Sequence, residues 1–537
     1  MKASGKLPAQ LSVYPKPVAA ISPTMHSLFL ESEINFGGEG GLYAELVRNR
    51  DFESLGRGHL NSDTGRMPSS WSRVVSELKR KHDAGVRAGQ PLDPEEPAAD
   101  PSDHRPWKAV RNATLAVVQG DAPFASNPHA LRVCVSSPGG GVSNPGYWGI
   151  AVRPGVSFKL TIFARAAKVA VRLVPQLLER GSGRVLTMDS VLLVGADDRA
   201  WHRYNTTIHV LDDTVHTEST AWLQIILLDP GEVILDGVSL MPSDAVAGLF
   251  RRDIFERLQR LRPGFVRMPG GNYLEGHGKR TCWDWKQTLG PAAARRGHYN
   301  SAWKYWVTDA LGLFELLLLA ELLGTEAQIS IHSGYSLNQL RYPPLADATP
   351  VIQDALDLLE FANGPPHSPW GARRAEMGHP QPFGLHRLEI GNEERDWRPE
   401  GYPGHYRLIA SAVWARHPHV HITACGFWDE SLSSSISRSP CLSGTRCDAW
   451  DEHIYRTAPS MAAMGHHYDH YNRSWPRVFV GEFAAKDSFD KESALRPTQT
   501  QPATLHRSPT IIPAGMRHSR DIWRQRRVVQ KERMDVG

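Results

Sequence analysis

Beyond Ala245 the chain keeps one rhythm, in which helical stretches alternate with short apolar strands of the kind buried on both faces. A helix near 246–261 leads into Phe265-Val266-Arg267-Met268. A strongly apolar helix from Asp309 to Leu323, with Thr308 or Asp309 as N-cap and Gly324 at its end, leads into a strand from Ala327 to His332. A helix at 351–362, stopped by Gly364, precedes Leu388-Glu389-Ile390-Gly391-Asn392-Glu393. A helix near 404–416, strands at 420–425 and 448–455, a helix near 459–471 and the strand Val478-Phe479-Val480-Gly481-Glu482 complete the series. Strands alternating with helices in this way form a parallel sheet with the helices outside, and the count suits a (β/α)8 barrel. Together with a strand at 25–31, seven strands are visible. The expected fold class is therefore α/β, a TIM barrel incomplete at its last strand.

A second pattern interrupts the first. From 107 to 242 the period is two, in segments such as Ser157-Phe158-Lys159-Leu160-Thr161-Ile162 and Val169-Ala170-Val171-Arg172-Leu173. Short alternating strands without helices between them indicate an inserted all-β sandwich. The expected organisation is a first barrel strand and turn at 18–55, a linker or exposed loop at 72–106, the sandwich at 107–242, the rest of the barrel at 243–485 and a disordered basic tail at 486–537.

The formal charge of +4 conceals an uneven distribution. The tail carries 11 Lys/Arg against 6 Asp/Glu, so the remainder is near neutral and offers no basic field for nucleic acid. No apolar run is long enough for a membrane helix, and the first 17 residues hold lysines but no apolar core of a secretory signal. Among five cysteines, Cys441 and Cys447 bracket a loop and are able to pair, while the odd total favours mostly free thiols. The turn Gly37-Gly38-Glu39-Gly40-Gly41 lacks both the Lys-Ser/Thr of a phosphate loop and the spacing of a dinucleotide fingerprint. His466, His467 and His470 sit at helical spacing and read as a solvated face rather than a metal site.

The chemistry is carried by strand ends. In a β/α barrel the C-terminal ends of the strands share one pocket, so Glu393 and Glu482 are candidates to face each other. Paired carboxylates suit glycoside hydrolysis: one protonates the leaving oxygen, the other attacks or activates water. No metal or cofactor is needed for that reaction. Asn392 stands next to Glu393 and is suited to a sugar hydroxyl; Tyr455 is suited to hydrogen-bonding the nucleophile, and His453 either lines the pocket or is structural. Arg267, at a strand end before Pro269-Gly270-Gly271-Asn272, suits either an ion pair or direct ligand contact.

Several blocks in collinear order resemble the α-L-arabinofuranosidases of glycoside hydrolase family 51. They are Leu28-Phe29-Leu30-Glu31, Gly40-Gly41-Leu42-Tyr43-Ala44-Glu45-Leu46, Arg267-Met268-Pro269-Gly270-Gly271-Asn272-Tyr273-Leu274-Glu275-Gly276, Trp285-Lys286-Gln287-Thr288-Leu289-Gly290-Pro291 and Glu389-Ile390-Gly391-Asn392-Glu393. The resemblance implies a retaining hydrolase acting on arabinose-containing glycans, with Glu393 as acid/base, Glu482 as nucleophile, and Glu31, Asn272, Asn392 and Tyr455 around the sugar ring. It implies that the 107–242 insertion is a carbohydrate-binding-module-like sandwich of the plant type. The family's Glu-Glu-Ile-Asn is one residue longer here, as Glu31-Ser32-Glu33-Ile34-Asn35, so Glu31 and Glu33 compete for one role and strand register favours Glu31. After Ala485 the resemblance stops. The family is usually secreted. Two further readings stay open at this point: an inactive relative that only binds carbohydrate, and a barrel hydrolase of other specificity such as a β-xylosidase or endoglucanase.

Overall fold

A computed structural model describes residues 22–31, 36–57, 98–188, 190–195, 200–211, 219–338, 340–394, 396–426, 441 and 444–485. Glu33, most of the 72–106 stretch and the basic tail lie outside the described residues.

Seven strands form one parallel sheet in chain order: β1 (Leu28–Phe29), β2 (Phe265–Met268), β3 (Glu326–Ile331), β4 (Arg387–Ile390), β5 (His421–Ala424), β6 (Ala449–Arg456) and β7 (Arg477–Ala485). Every adjacent pair is parallel. β1 and β7 are the two edges. The sheet nevertheless curls far enough for the rings of Phe265 on β2 and Phe479 on β7 to approach to 5.2 Å. Sequential parallel strands with intervening helices make a barrel wall, closed here except for the seam between β7 and β1.

The helices cover the sheet. Leu313–Leu323, Thr349–Asn363 and Tyr402–Arg416 lie between successive strands and bury Leu316, Leu319, Leu358, Phe361, Ile409 and Val413 against Ile329, Leu388 and Ile422. The first of these begins four residues later than the expected Asp309. Thr308 is held by Glu39, to which its Oγ1 donates at 2.6 Å, and Asp309 has a φ of 57°, so neither caps the helix. Gly312 takes that place, its N–H donating to Glu315 Oε2 at 2.9 Å. The expected helix at 459–471 is reduced to Ala458–Ala462 and a 3-10 turn at Ala463–His466. Among the described residues no helix is long and apolar enough to cross a membrane.

Between Lys108 and Pro242 lie two antiparallel sheets. One orders His202–Ile208, Phe158–Ala166, Gly231–Pro242, Asn127–Val135 and Ala113–Phe124; the other is centred on Ser219–Leu227 and Val171–Glu179. Alternation explains their packing: Phe158, Leu160, Ile162, Ala164 and Ala166 point inward, facing Leu173, Leu177, Leu223 and Ile225 in a core of their own. Residues 44–52 weld this body to the barrel. Glu45 Oε1 accepts from Val47 N and Leu240 N, both at 2.9 Å, and Arg50 Nη2 donates to Ala292 O at 2.8 Å.

Cys441 and Cys447 form a disulfide, their Cα atoms 5.1 Å apart, while Cys134, Cys282 and Cys425 are free.

Candidate active site

The carboxyl ends of β1, β2, β4, β6 and β7 converge on one buried arginine. Arg267 is fully shielded from solvent. Its Nε donates to Glu389, Nη1 to Glu482 Oε1 at 3.0 Å, and Nη2 to Asn392 Oδ1 at 2.8 Å. Burial works against its charge, but Glu389, Asp451 and Glu482 outweigh burial and hold the guanidinium protonated. Of the two roles open to Arg267, the structure therefore supports the ion pair: every face of the group is spent on carboxylates and an amide, and none looks onto a pocket.

Two negative charges beside it are set by their neighbours. Glu482 is pushed up by burial, but His453 and Arg267 pull harder, and its carboxyl is held below the usual range. Tyr455 Oη donates to Glu482 Oε2 at 2.8 Å. Asp451 is likewise held well down, burial being overcome by His453 and Arg267. Glu31, just past β1, goes the other way: burial and then the charge of Glu482 raise its carboxyl well above the ordinary value, and it hydrogen-bonds Glu482 as a neutral acid. That contact spans the seam between β1 and β7. Within β4, burial raises Glu389 to about 8 against the pull of Arg267.

His453 links the carboxylates. Its side chain is wholly buried, with Nε2 2.9 Å from Asp451 Oδ2, and Nδ1 2.8 Å from Glu393 Oε1 and 3.5 Å from Glu482 Oε2. Burial disfavours its charge, yet Glu482 and Asp451 raise it well above the ordinary histidine value, so it is a cation donating on both sides. Of the two roles open to His453, full burial of the side chain supports the structural one: it joins three carboxyl groups from behind.

Glu393 is partly open to solvent, its side chain 16 % exposed. Its φ of 47° is unusual for a residue other than glycine, and such strain persists only where surrounding contacts enforce it. The turn that carries it starts at Gly391, whose φ of +80° suits glycine; a Cβ there would lie 2.2 Å from Glu394 Oε1. On β7 a similar close approach operates. Gly481 N donates to Asp451 Oδ1 at 2.7 Å, and a Cβ on Gly481 would sit 2.4 Å from that same oxygen. The β6–β7 register shifts between Asp451 and His453, so that Asp451 faces Phe479 while His453 faces Glu482. This bulge turns Glu482 inward beside His453.

An oxygen of Glu393, a ring nitrogen of His453 and an oxygen of Glu482 all lie within 4.8 Å of one another. That spacing is compact enough for one cation, but His453 is itself charged and Glu482 is already matched by Arg267 and Tyr455. The arrangement serves proton and nucleophile chemistry, with one accessible carboxyl opposite one ionised carboxylate.

Seven of the eight residues singled out in the sequence meet here: Glu31, Arg267, Asn392, Glu393, His453, Tyr455 and Glu482. Asn272 heads the short helix Asn272–Glu275 and follows Gly271, which packs on the Glu31 carboxyl. Sequence reasoning missed Glu389, Asp451, Glu275 and Glu394. A charged residue inside a strand buried on both faces needs an opposite charge in a neighbouring strand, so Arg267 in β2 and Glu389 in β4 were a signal to be read together. His467 Nε2 meets Glu452 at 2.9 Å and exposed His466 meets Asp469, so the histidine cluster converges on no common point.

The model of the α-L-arabinofuranosidase 1 domain matches residues 257–473. α-L-Arabinofuranosidase 1 of Arabidopsis thaliana is 32 % identical over 474 residues, which is 86 % of this chain and 61 % of the relative. Over most of its length the chain is similar to α-L-arabinofuranosidases. An extracellular exo-α-L-arabinofuranosidase of Streptomyces chartreusis is 29 % identical over 87 % of the chain and 52 % of its own length. Among solved structures, an arabinose-bound MgGH51 α-L-arabinofuranosidase superposes with a TM-score of 0.71 at 28 % identity, covering 88 % of this chain and 68 % of that one. The chain thus spans about three fifths of the Arabidopsis relative's length.

Proposed function

We propose that this chain is a retaining glycoside hydrolase that removes terminal α-L-arabinofuranosyl residues from arabinose-containing glycans. The observation that carries the reading is the approach of Glu393 and Glu482, with carboxyl oxygens within 4.8 Å and both facing Nδ1 of His453. Retaining pairs stand about 5–5.5 Å apart, whereas inverting pairs leave roughly 6.5–9.5 Å for a water between them.

The residues divide the work by environment. Glu482, kept ionised by His453 and Arg267 and oriented by Tyr455, attacks the anomeric carbon. Glu393 gives its proton to the glycosidic oxygen as the carbon–oxygen bond breaks, leaving the sugar esterified to Glu482. His453 donates to Glu393 Oε1, so Oε2 is the oxygen that faces the leaving group. Glu393, now a carboxylate, takes a proton from water as that water attacks the anomeric carbon, and Glu482 departs. Asn392, Asn272 and the neutral Glu31 surround the position of the ring and bind its hydroxyls.

The domain reading is also ours: a catalytic barrel with an inserted carbohydrate-binding-module-like sandwich at 107–242. An eighth strand would fill the seam between β7 and β1. The test is hydrolysis of an aryl α-L-arabinofuranoside by the purified chain beside its Glu393→Ala and Glu482→Ala variants. Glutamate-dependent release, with arabinose first appearing as the α anomer, supports the reading. A folded chain that binds arabinan without turnover points to the inactive relative, and turnover of an aryl β-xyloside or of a β-glucan with none of the arabinofuranoside points to another specificity.

A further inference from the structure

Behind the site lie two buried carboxyls for which the mechanism has no use. Glu275, last residue of the Asn272–Glu275 helix, is 1 % exposed; Glu394, directly after Glu393, is completely buried. Glu394 Oε1 accepts from Ser333 Oγ, and Ser333 Oγ also lies 2.9 Å from Tyr342 Oη. Oε1 of Glu275 faces Asn392 Nδ2 across 3.4 Å. The second oxygen of each carboxyl is buried without a hydrogen-bond partner. Such groups are costly as carboxylates, and burial, together for Glu275 with the charge of Glu394, raises both well above the ordinary value.

Asn392 is therefore gripped at both ends of its amide. Arg267 has only donors to offer and fixes Oδ1 on its side; Glu275 Oε1, an acceptor, lies on the Nδ2 side. The two partners together exclude the flipped amide, which would set Nδ2 against a guanidinium and oxygen against oxygen. One N–H of Nδ2 is left over, and it has a fixed direction.

We propose that Glu275 is a positioning residue for the glycosidase reaction, acting through Asn392: with Arg267 it locks the amide so that Asn392 presents an N–H donor to the sugar hydroxyl beside the anomeric carbon. The inference rests on the arabinofuranosidase reading given above. An acceptor at position 275 is what matters, not a charge, so a neutral amide serves there and an apolar chain of similar length does not.

The test compares Glu275→Gln, which keeps an acceptor, with Glu275→Met, which fills the same space without one. Each is made in the parent chain and in Asn392→Ala, and assayed on an aryl α-L-arabinofuranoside with melting temperatures recorded alongside. The expected result is a kcat fall of about 10-fold or more for Glu275→Met with KM little changed, and recovery to within about threefold by Glu275→Gln. In the Asn392→Ala background Glu275→Met should cost less than about twofold further, since its route to the substrate is already gone. Glu275→Met and Glu275→Gln with equal activity, or the same loss in both backgrounds, overturns the inference while the arabinofuranosidase reading stands. A loss that tracks only the folded fraction assigns Glu275 a structural role and also overturns it. No turnover by the parent chain removes the reading and this inference together.

Discussion

Nδ1 of His453 lies 2.8 Å from Oε1 of Glu393, and the same nitrogen lies 3.5 Å from Oε2 of Glu482. One imidazolium therefore serves both carboxyls of the proposed pair. Its charge is the largest favourable influence on Glu482, whose carboxyl would otherwise rise with burial. His453→Gln removes that cation, so Glu482 binds its proton more readily. Activity needs Glu482 ionised and is lost as pH falls through its pKa; the acidic limb of kcat/KM therefore moves to higher pH in the variant. A pH–rate profile checks this, and an acidic limb that stays or moves lower contradicts it.

Deletion of the proposed nucleophile is more drastic. Glu482→Ala is expected to lower kcat by about 10⁴-fold or more, the scale on which covalent catalysts fail. Azide then substitutes for the missing carboxylate and restores part of the release, yielding an arabinosyl azide of inverted configuration. Chromatography of the products after azide addition makes the comparison.

Tyr455 donates one hydrogen bond to the ionised Glu482. Bonds to charged groups contribute about 1.5–3 kcal/mol, so Tyr455→Phe should cost roughly 10- to 150-fold in turnover if that bond is made fully in the transition state. Steady-state kinetics on the phenylalanine variant is sufficient, and a kcat within twofold of the parent would remove Tyr455 from the mechanism.

Gly481 has no room for a side chain, because a Cβ would press on Asp451. Gly481→Ala is expected to destabilise by about 1–3 kcal/mol as Asp451 is displaced, and to lower activity as His453 loses its anchor. Melting curves and kinetics on one preparation separate the two effects.

Glu315 tests the fold apart from the site. It pairs with buried Arg295 at 2.7 Å and caps the Leu313–Leu323 helix through Gly312. Removing one partner of a buried pair costs about 3–5 kcal/mol, so Glu315→Ala should melt markedly lower while the folded fraction keeps its kcat. Denaturant unfolding at constant pH measures the difference.

The barrel was legible because its strands are apolar runs that end at turns, and seven such runs give the seven strands observed. The convergence of Glu393 and Glu482 was legible because strand ends meet on one side of this architecture. The helix start at Gly312 was not, since the Thr308 and Asp309 signals were overridden by a tertiary bond from Glu39, which lies far away in sequence. Nor was the burial of Arg267: sequence places a residue along its strand, whereas the partners that close around it come from β4, β6 and β7. The aim of Glu482 depends on the β6–β7 bulge, which no local motif announces.

In the proposed mechanism Glu482 becomes covalently bonded to the sugar while Glu393 handles the proton. Incubation with a 2-fluoro arabinofuranoside bearing a good leaving group, whose intermediate hydrolyses slowly, followed by mass spectrometry of the peptides, tests it directly. One added fluoroarabinosyl unit is expected on the peptide containing Glu482, absent from Glu482→Ala. Active enzyme with no adduct, or an adduct on a peptide that lacks Glu482, would contradict it.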